Sequence, residues 1–247
     1  MTSKYEKEKP NNIFEWIQHA YFIFRQKGFI SFLSRLWRAA KHEFRNVFGS
    51  ILVQATPRTF TYKGKRLDLF YHQYNHTWSN ERCIEIPLIL DEADLNNRPL
   101  LEIGNVLNHY RECDWDVIDK YETKSHVTNK DILDVEVEPK YSLILSISTL
   151  EHIGIDEGAN PAKAIKALER IKSLLQQGGK LIFTVPVGYN TALDKYLIEE
   201  RNLELSLFKR ISWSNEWKQA GLEEVKNIDY NHPYENGNGV LLGTYER

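Results

Sequence analysis

From residue 99 onward, runs of residues typical of strands alternate with runs typical of helices. The strand-like runs read PLLEIGNVL, DWDVID, YSLILSIS and KLIFTVPV, and a helix-like stretch at 161–177 lies between the last two. Alternation of this kind predicts parallel strands with helices packed on both faces of the sheet. We therefore predict an α/β, doubly wound and mostly parallel fold.

The flanking segments predict smaller elements. A hairpin is expected at Thr59–Tyr74, because alternating aromatic residues surround a glycine there. A helix is expected from Ser79 towards Leu95, interrupted near Pro87. The last two strands are expected at 222–228 and 239–245, paired as an antiparallel hairpin at the sheet edge.

Residues 1–58 have a different pattern and are predicted to form an amphipathic helical extension of a main domain at 59–247. Apolar, largely aromatic residues recur there at helical spacing, and residues 11–60 hold seven Lys or Arg against two Glu, a local charge of +5. The aromatic stripe either packs on the main domain or on a second subunit of a homodimer, or makes peripheral contact with an anionic membrane surface.

The bulk composition argues against several classes. A net charge of -2 and a pI near 6.5 give no global basic field, so nucleic acid is not the expected partner. The two cysteines, Cys83 and Cys113, form no CxxC pair, and no metal site is predicted. The polar N-terminus and the lack of about 18 uninterrupted apolar residues predict a cytoplasmic location. Within the cytoplasm, the inner face of the membrane is a second candidate location.

The loop after the first main-domain strand carries Glu102, Gly104 and Asn105. A dinucleotide-binding loop needs several glycines, because its backbone amides must close on a pyrophosphate. Only Gly104 is present here, which argues against NAD or FAD. S-adenosylmethionine has no phosphate, so one glycine for close backbone approach and one acidic residue are sufficient for its loop.

The next strand ends in Asp119, 17 residues beyond Glu102. A carboxylate at the tip of this strand can accept hydrogen bonds from both hydroxyls of a ribose. Together, the two acids predict an adenosine-binding site.

Five segments in order resemble the class I S-adenosylmethionine-dependent methyltransferases over roughly residues 99–245. The segments are LLEIGN, DVIDKYE, NKDILD, YSLILSISTLEHIG and LLQQGGKLIFTVPVG. The resemblance implies a seven-stranded Rossmann-like sheet and S-adenosyl-L-methionine as cofactor. It also implies cofactor contacts at matching positions, which are Glu102, Gly104, Asn105, Asp119, Lys120, Asp131, Ile132, Ser148, Thr149 and Leu150.

Other residues are assigned from their position in the chain. His152 follows the fourth strand on the acceptor side and is the candidate general base, although capping of the strand–helix junction or lining of the adenosine pocket is an alternative. Thr77 and Arg82 precede the core and are expected to fold over the cofactor, with Arg82 facing the methionine carboxylate or else forming a surface salt bridge with Glu85.

The predicted function is methyl transfer to a small-molecule or carbohydrate acceptor, including glycan intermediates, at an oxygen atom. The chain departs from the family at Val106 and Asn108, where glycines are usual, and Val106 does not tolerate a left-handed backbone. The alternative is therefore a catalytically silent methyltransferase-like domain that docks to a membrane or a protein complex.

Overall fold

A computed structural model describes residues 57–136, 138–158 and 160–247, and an eight-stranded sheet lies at the centre of this described part. The strands in chain order are β1 (Thr59–Tyr62), β2 (Lys65–Asp68), β3 (Leu100–Ile103), β4 (Asp116–Ile118), β5 (Val127–Thr128), β6 (Tyr141–Ile147), β7 (Leu175–Pro186), β8 (Glu204–Arg210), β9 (Trp217–Ala220) and β10 (Gly239–Glu246). The main sheet has the order β5-β4-β3-β6-β7-β10-β8-β9, and β1 and β2 form a separate hairpin.

Strands β3 to β7 are mutually parallel, which confirms the doubly wound, mostly parallel fold. Strands β3 and β6 are buried along their whole length, as expected for strands that helices cover on both faces. Their carboxyl ends therefore meet at one edge of the sheet.

Helices cover the two faces of the sheet. They are α1 (Arg82–Glu92), α2 (Lys163–Ser173), α3 (Thr191–Glu199) and the short α4 (Leu222–Val225). Helix α1 and the β1–β2 hairpin share one hydrophobic core, in which the rings of Phe60 and Tyr62 pack on Phe208. Helices α2 and α3 contribute to a second core on the other face.

Helix α1 runs through Pro87 without the predicted interruption. A proline inside a helix cannot donate to the carbonyl four residues earlier, which here belongs to Cys83. The amide of Phe70 donates to that carbonyl at 2.9 Å instead. The loop before the helix thus donates the hydrogen bond that the carbonyl of Cys83 cannot receive from Pro87.

The C-terminal expectations were wrong in two respects. Residues Leu222–Val225 form a helix, and β10 pairs with β7 and β8 inside the sheet instead of forming an edge hairpin. The additional strand β9 pairs with β8 at the edge, which gives eight strands where seven were expected.

The boundary between α2 and β7 also differs from the prediction. The helix ends at Ser173, four residues before the end expected at 177, and Gly178 lies within β7. Between the Tyr141–Leu175 and Leu143–Lys180 pairs the register of β7 against β6 shifts, so the glycine-containing segment forms an irregularity in the strand.

The predicted amphipathic extension at 1–58 lies almost entirely outside the described residues. Its contacts with the main domain, a second subunit or a membrane surface therefore remain predictions. Among the helices that the structure describes, none is both long enough and apolar enough to span a bilayer.

Candidate functional site

A cleft with a volume of about 360 Å³ opens at the carboxyl ends of β3, β4 and β6. Ligands of doubly wound sheets bind at this edge. Nine of the thirteen predicted site residues line the cleft, namely Gly104, Asn105, Asp119, Lys120, Asp131, Ile132, Ser148, Thr149 and His152. The other four, Thr77, Arg82, Glu102 and Leu150, are not part of its lining.

Gly104 occupies a position that only glycine fits. Its backbone is left-handed, with φ of +83°, and an added Cβ would lie 2.2 Å from the hydroxyl oxygen of Thr149. The loop after β3 therefore approaches the loop after β6 more closely than any side chain would allow. This approach brings two predicted cofactor-contact segments together.

Glu102 lies beneath the same loop and is fully buried. Its Oε1 accepts hydrogen bonds from the amides of Val106 and Leu107 at 2.9 and 2.8 Å, and its Oε2 accepts one from Trp115 Nε1 at 3.1 Å. Burial raises the pKa of Glu102, and these hydrogen bonds oppose the shift. The Glu102 carboxyl thus orients the loop from below.

Asp119 holds the loop from the side of β4. Its Oδ2 accepts a hydrogen bond from the amide of Asn105 at 3.1 Å, while its Oδ1 accepts bonds from the amides of Tyr121 and Glu122 at 2.8 and 2.9 Å. The carboxylate is half-buried and lies in the cleft wall. Both acids identified from the sequence are therefore fixed in place by the backbone.

Val106 and Asn108, the two positions at which the resemblance would call for glycine, have a simple structural explanation. Val106 is right-handed, with φ of -97° and ψ of -52°, and Asn108 lies in the short 3-10 helix Leu107–His109. Neither residue occupies a conformation that requires glycine. The loop follows a path that its own side chains permit, and the cleft beside it is open.

Four charged side chains form a network at one rim of the cleft. Lys120 and Lys163 each contact both Asp131 and Glu157, at distances from 2.5 to 3.0 Å. Partial burial raises the pKa of Asp131, but hydrogen bonds from Lys163, the Leu133 amide and Lys120 outweigh it and bring the pKa to about 2. Asp131 is therefore ionised at neutral pH.

Beside Asp131, Ile132 contributes a buried apolar side chain to the cleft. On the opposite wall, the hydroxyl of Ser148 donates to Glu85 and that of Thr149 donates to the carbonyl of Ile147 at 3.1 Å. Leu150 follows directly and is fully buried in the core beneath the cleft. It supports the wall without facing the ligand space.

His152 lies at the cleft wall between two carboxyl groups. Its Nδ1 lies 2.9 Å from Asp156 Oδ2, and its Nε2 lies 3.5 Å from Glu151 Oε1. The other oxygen of Asp156 accepts a hydrogen bond from the hydroxyl of Tyr189 at 2.9 Å, and the Tyr189 ring packs edge-on against the imidazole. These contacts fix the orientation of the ring.

Arg82 forms the salt bridge with Glu85 that was the alternative to a cofactor contact, but this pair lies in the interior and not at the surface. Its Nη1 lies 3.3 Å from Glu85 Oε2 and donates to the carbonyl of Ile147 at 3.2 Å, and the Glu85 side chain is fully buried. Thr77 is also fully buried, and its hydroxyl donates to Phe70 and accepts from the amide of His72. Local hydrogen bonds thus occupy the Thr77 side chain.

Several lining residues were not identified from the sequence, and these include Ile118, Tyr121, Lys130, Ile153, Asp156 and Glu157. Ile118 and Tyr121 flank Asp119 closely enough that the end of β4 alone could have indicated them. Asp156 lies four residues after His152, a spacing that brings two side chains together on one turn. Lys163, by contrast, reaches the rim from α2, and no local pattern marks it.

No family model and no curated protein matches the chain. Among solved structures, the N-methyltransferase NodS from Bradyrhizobium japonicum, in complex with S-adenosylhomocysteine, is 15% identical over 65% of this chain and 91% of its own, with a TM-score of 0.37. A putative S-adenosylmethionine-dependent methyltransferase from Listeria monocytogenes is 13% identical over 66% and 96%, with a TM-score of 0.40. A TehB-like methyltransferase from Corynebacterium glutamicum is 16% identical over 66% and 87%, with a TM-score of 0.39. Similarity this low does not identify the ligand of the cleft, so we infer the ligand from the chemistry of the cleft itself.

Proposed function

We propose that the cleft binds S-adenosyl-L-methionine and that the protein transfers its methyl group to a small-molecule or carbohydrate acceptor at an oxygen atom. The observation that carries the proposal is the occupation of the loop amides. Those of Asn105, Val106 and Leu107 all donate to the carboxylates of Asp119 and Glu102. A ligand of this site must match a loop that presents negative charge.

This loop is unsuitable for a phosphate. Phosphate groups bind free backbone amides, and here three consecutive amides already have carboxylate partners. The carboxylate of Asp119 in the cleft wall would also repel a pyrophosphate. S-adenosylmethionine has no phosphate, and its sulfonium and ammonium groups outweigh its carboxylate, so its net positive charge complements the Asp119 carboxylate in the cleft wall.

The remaining lining divides into an apolar and a polar part. Ile118, Ile132 and Ile153 supply apolar surface on which a purine ring can pack, with the Tyr121 ring at the rim. Asp119 lies at the end of β4, where a ribose would follow the purine. Ser148 and Thr149 line the opposite wall, beyond Gly104. The cleft volume falls within the usual range of small-ligand sites.

When bound, S-adenosylmethionine supplies a methyl group that its sulfonium has already activated towards nucleophiles. The protein then has to hold the acceptor in line, which is worth about 7 to 11 kcal/mol of barrier lowering. A hydroxyl acceptor also requires a base, and we assign this role to His152. Asp156 accepts from Nδ1, so the neutral imidazole carries its lone pair on Nε2, where it can take the hydroxyl proton.

Calorimetry with S-adenosylhomocysteine on the full chain tests the proposal. We expect saturable 1:1 binding that Asp119→Ala weakens by about 10- to 100-fold, because charge-assisted hydrogen bonds contribute about 1.5 to 3 kcal/mol. Asp114→Ala is the matched control, since this carboxylate precedes β4 and is exposed. Absence of binding to the wild-type protein, or equal affinity in the Asp119→Ala variant, would contradict the proposal.

A further inference from the structure

Behind the wall formed by Ser148 and His152 lies a buried group of charged side chains, which we call the acidic cluster. It consists of Glu81, Glu85 and Glu151 together with Arg82. The exposed fractions of the three glutamates are 9%, 0% and 1%. Burial of three carboxyl groups with one guanidinium is costly unless each carboxyl is neutralised or receives hydrogen bonds.

Two of the three carboxyl groups have partners. Glu81 Oε2 accepts a hydrogen bond from the amide of Gly237 at 2.8 Å. Glu85 accepts one from the hydroxyl of Ser148 and lies 3.3 Å from the guanidinium of Arg82. The single arginine of the cluster is thus engaged with Glu85.

Glu151 differs from both. Within the described part of the chain, neither of its carboxyl oxygens accepts a hydrogen bond, although the side chain is 1% exposed. Among the described residues, its one ion-pair contact within 4 Å is with His152 Nε2, at 3.5 Å. Burial, followed by repulsion from Glu85, raises the pKa of Glu151 well above its usual value. Attraction from Arg82 opposes this shift, but among the described residues no cationic group donates a hydrogen bond to the Glu151 oxygens.

The ligand space lies directly beside this group. Ser148, which donates to Glu85, and His152, which contacts Glu151, both line the cleft. The imidazole of His152, which is 43% exposed, lines the cleft, and its Nε2 lies 3.5 Å from the Glu151 carboxyl. The wall is formed by side chains that already bridge the cleft and the acidic cluster.

We propose that the methyl acceptor carries a protonated amine, which binds the carboxylate of Glu151 beside Ser148 and His152. An ammonium group supplies the missing charge and up to three N–H donors, and it suits the two oxygens of Glu151 that have no hydrogen-bond partner. This inference rests on the proposed function, because the acceptor shares the cleft with the cofactor. It narrows the acceptor class to amines, of which an amino sugar is the carbohydrate form.

Calorimetry on the full chain saturated with S-adenosylhomocysteine tests the inference with matched pairs of probes at equal ionic strength. The pairs are glucosamine with glucose, and 1,4-diaminobutane with 1,4-butanediol. We expect at least one amine to bind at least tenfold more tightly than its neutral counterpart. Glu151→Gln should abolish this preference, and Asp194→Asn, which changes a buried carboxyl outside the cleft lining, should retain it.

The outcomes separate the two proposals. Failure of S-adenosylhomocysteine to bind contradicts the proposed function. If it binds but neither amine is preferred, or if the preference survives in Glu151→Gln, only the present inference is overturned. An unchanged affinity of Glu151→Gln for S-adenosylhomocysteine shows that this variant is folded. If it does not fold, Glu151→Met is used in its place, because methionine removes the charge at similar volume.

Discussion

Gly104→Ala is expected to damage both the stability of the protein and its affinity for S-adenosylhomocysteine. Two separate effects act at this position. The left-handed backbone costs a residue with a Cβ about 1 to 2 kcal/mol. The Cβ would also lie 2.2 Å from Thr149 Oγ1, and an overpacked contact of this kind costs about 1 to 3 kcal/mol. The free energy of unfolding should therefore fall by about 2 to 5 kcal/mol.

A double-mutant cycle separates the two effects. Thr149→Ala removes the hydroxyl and methyl that lie 2.2 and 2.9 Å from the added Cβ but keeps the Cβ of residue 149 at 3.0 Å, so the double variant should recover most of the packing cost and none of the backbone cost. Gly64→Ala is the matched control, because Gly64 has a similar φ of +76° and nothing within 4 Å of the added Cβ. It should lose only about 1 to 2 kcal/mol.

Urea denaturation gives the free energies of unfolding, and calorimetry gives the affinity for S-adenosylhomocysteine. We expect the affinity of Gly104→Ala to fall and that of Gly64→Ala to remain at the wild-type value. If Gly104→Ala loses no more stability than Gly64→Ala, or if Thr149→Ala fails to recover any of the loss, the close approach of the two loops is refuted.

Three further predictions concern buried carboxyl groups. Burial raises the pKa of Asp194 to about 6 from 3.8, so the free energy of unfolding of the wild-type protein should decline as the pH rises from about 4 to 6. Asp194→Asn keeps an acceptor for the Gly188 amide, and it should remove this decline and raise the free energy of unfolding by up to about 3 kcal/mol at pH 7. Urea denaturation across the pH range measures both effects. Glu151 also has a raised pKa, so its contribution to the free energy of unfolding is complete at acidic pH and is lost as the pH rises. Glu151→Gln should therefore flatten the pH dependence of the melting temperature, and an unchanged profile would refute the raised pKa of Glu151. Glu102→Gln should lower the free energy of unfolding by about 1 to 3 kcal/mol, because an amide NH2 cannot accept the hydrogen bond of Trp115 Nε1, and a neutral result in urea denaturation would contradict the role of the Glu102 carboxylate.

The fold was predictable from local sequence where strands and helices alternate in order. The buried strands β3 and β6 are short and mostly apolar runs, and the residues directly after β3 and β4 include Gly104 and Asp119 of the cleft wall. Most cleft residues could be predicted from the positions of the strand ends, because the carboxyl ends of parallel strands always share one edge of the sheet.

The C-terminal part was not predictable in the same way. Its turn-rich segment is typical of a local hairpin, but β10 pairs with β7 and β8, whose residues are distant in sequence. Which strand pairs with which is decided by tertiary packing, and local patterns carry little information about it. The same holds for Glu151, since only the folded chain reveals that it is buried without a hydrogen-bond partner in the described part.

Thr77 illustrates a third difficulty. Its position before the core suggested a cofactor contact, but a threonine hydroxyl can also bond to nearby backbone groups. Here Phe70 and His72 provide such groups, and the side chain is buried in its own loop. Residue type and position alone do not distinguish these two uses.

A crystal structure of the full chain grown with S-adenosylhomocysteine tests the central claim most directly. The account predicts electron density in the cleft between Gly104 and Asp131, with both ribose hydroxyls within hydrogen-bonding distance of the Asp119 carboxylate and the purine against Ile118 and Ile132. Density for the ligand elsewhere on the protein, or a ribose turned away from Asp119, would contradict it.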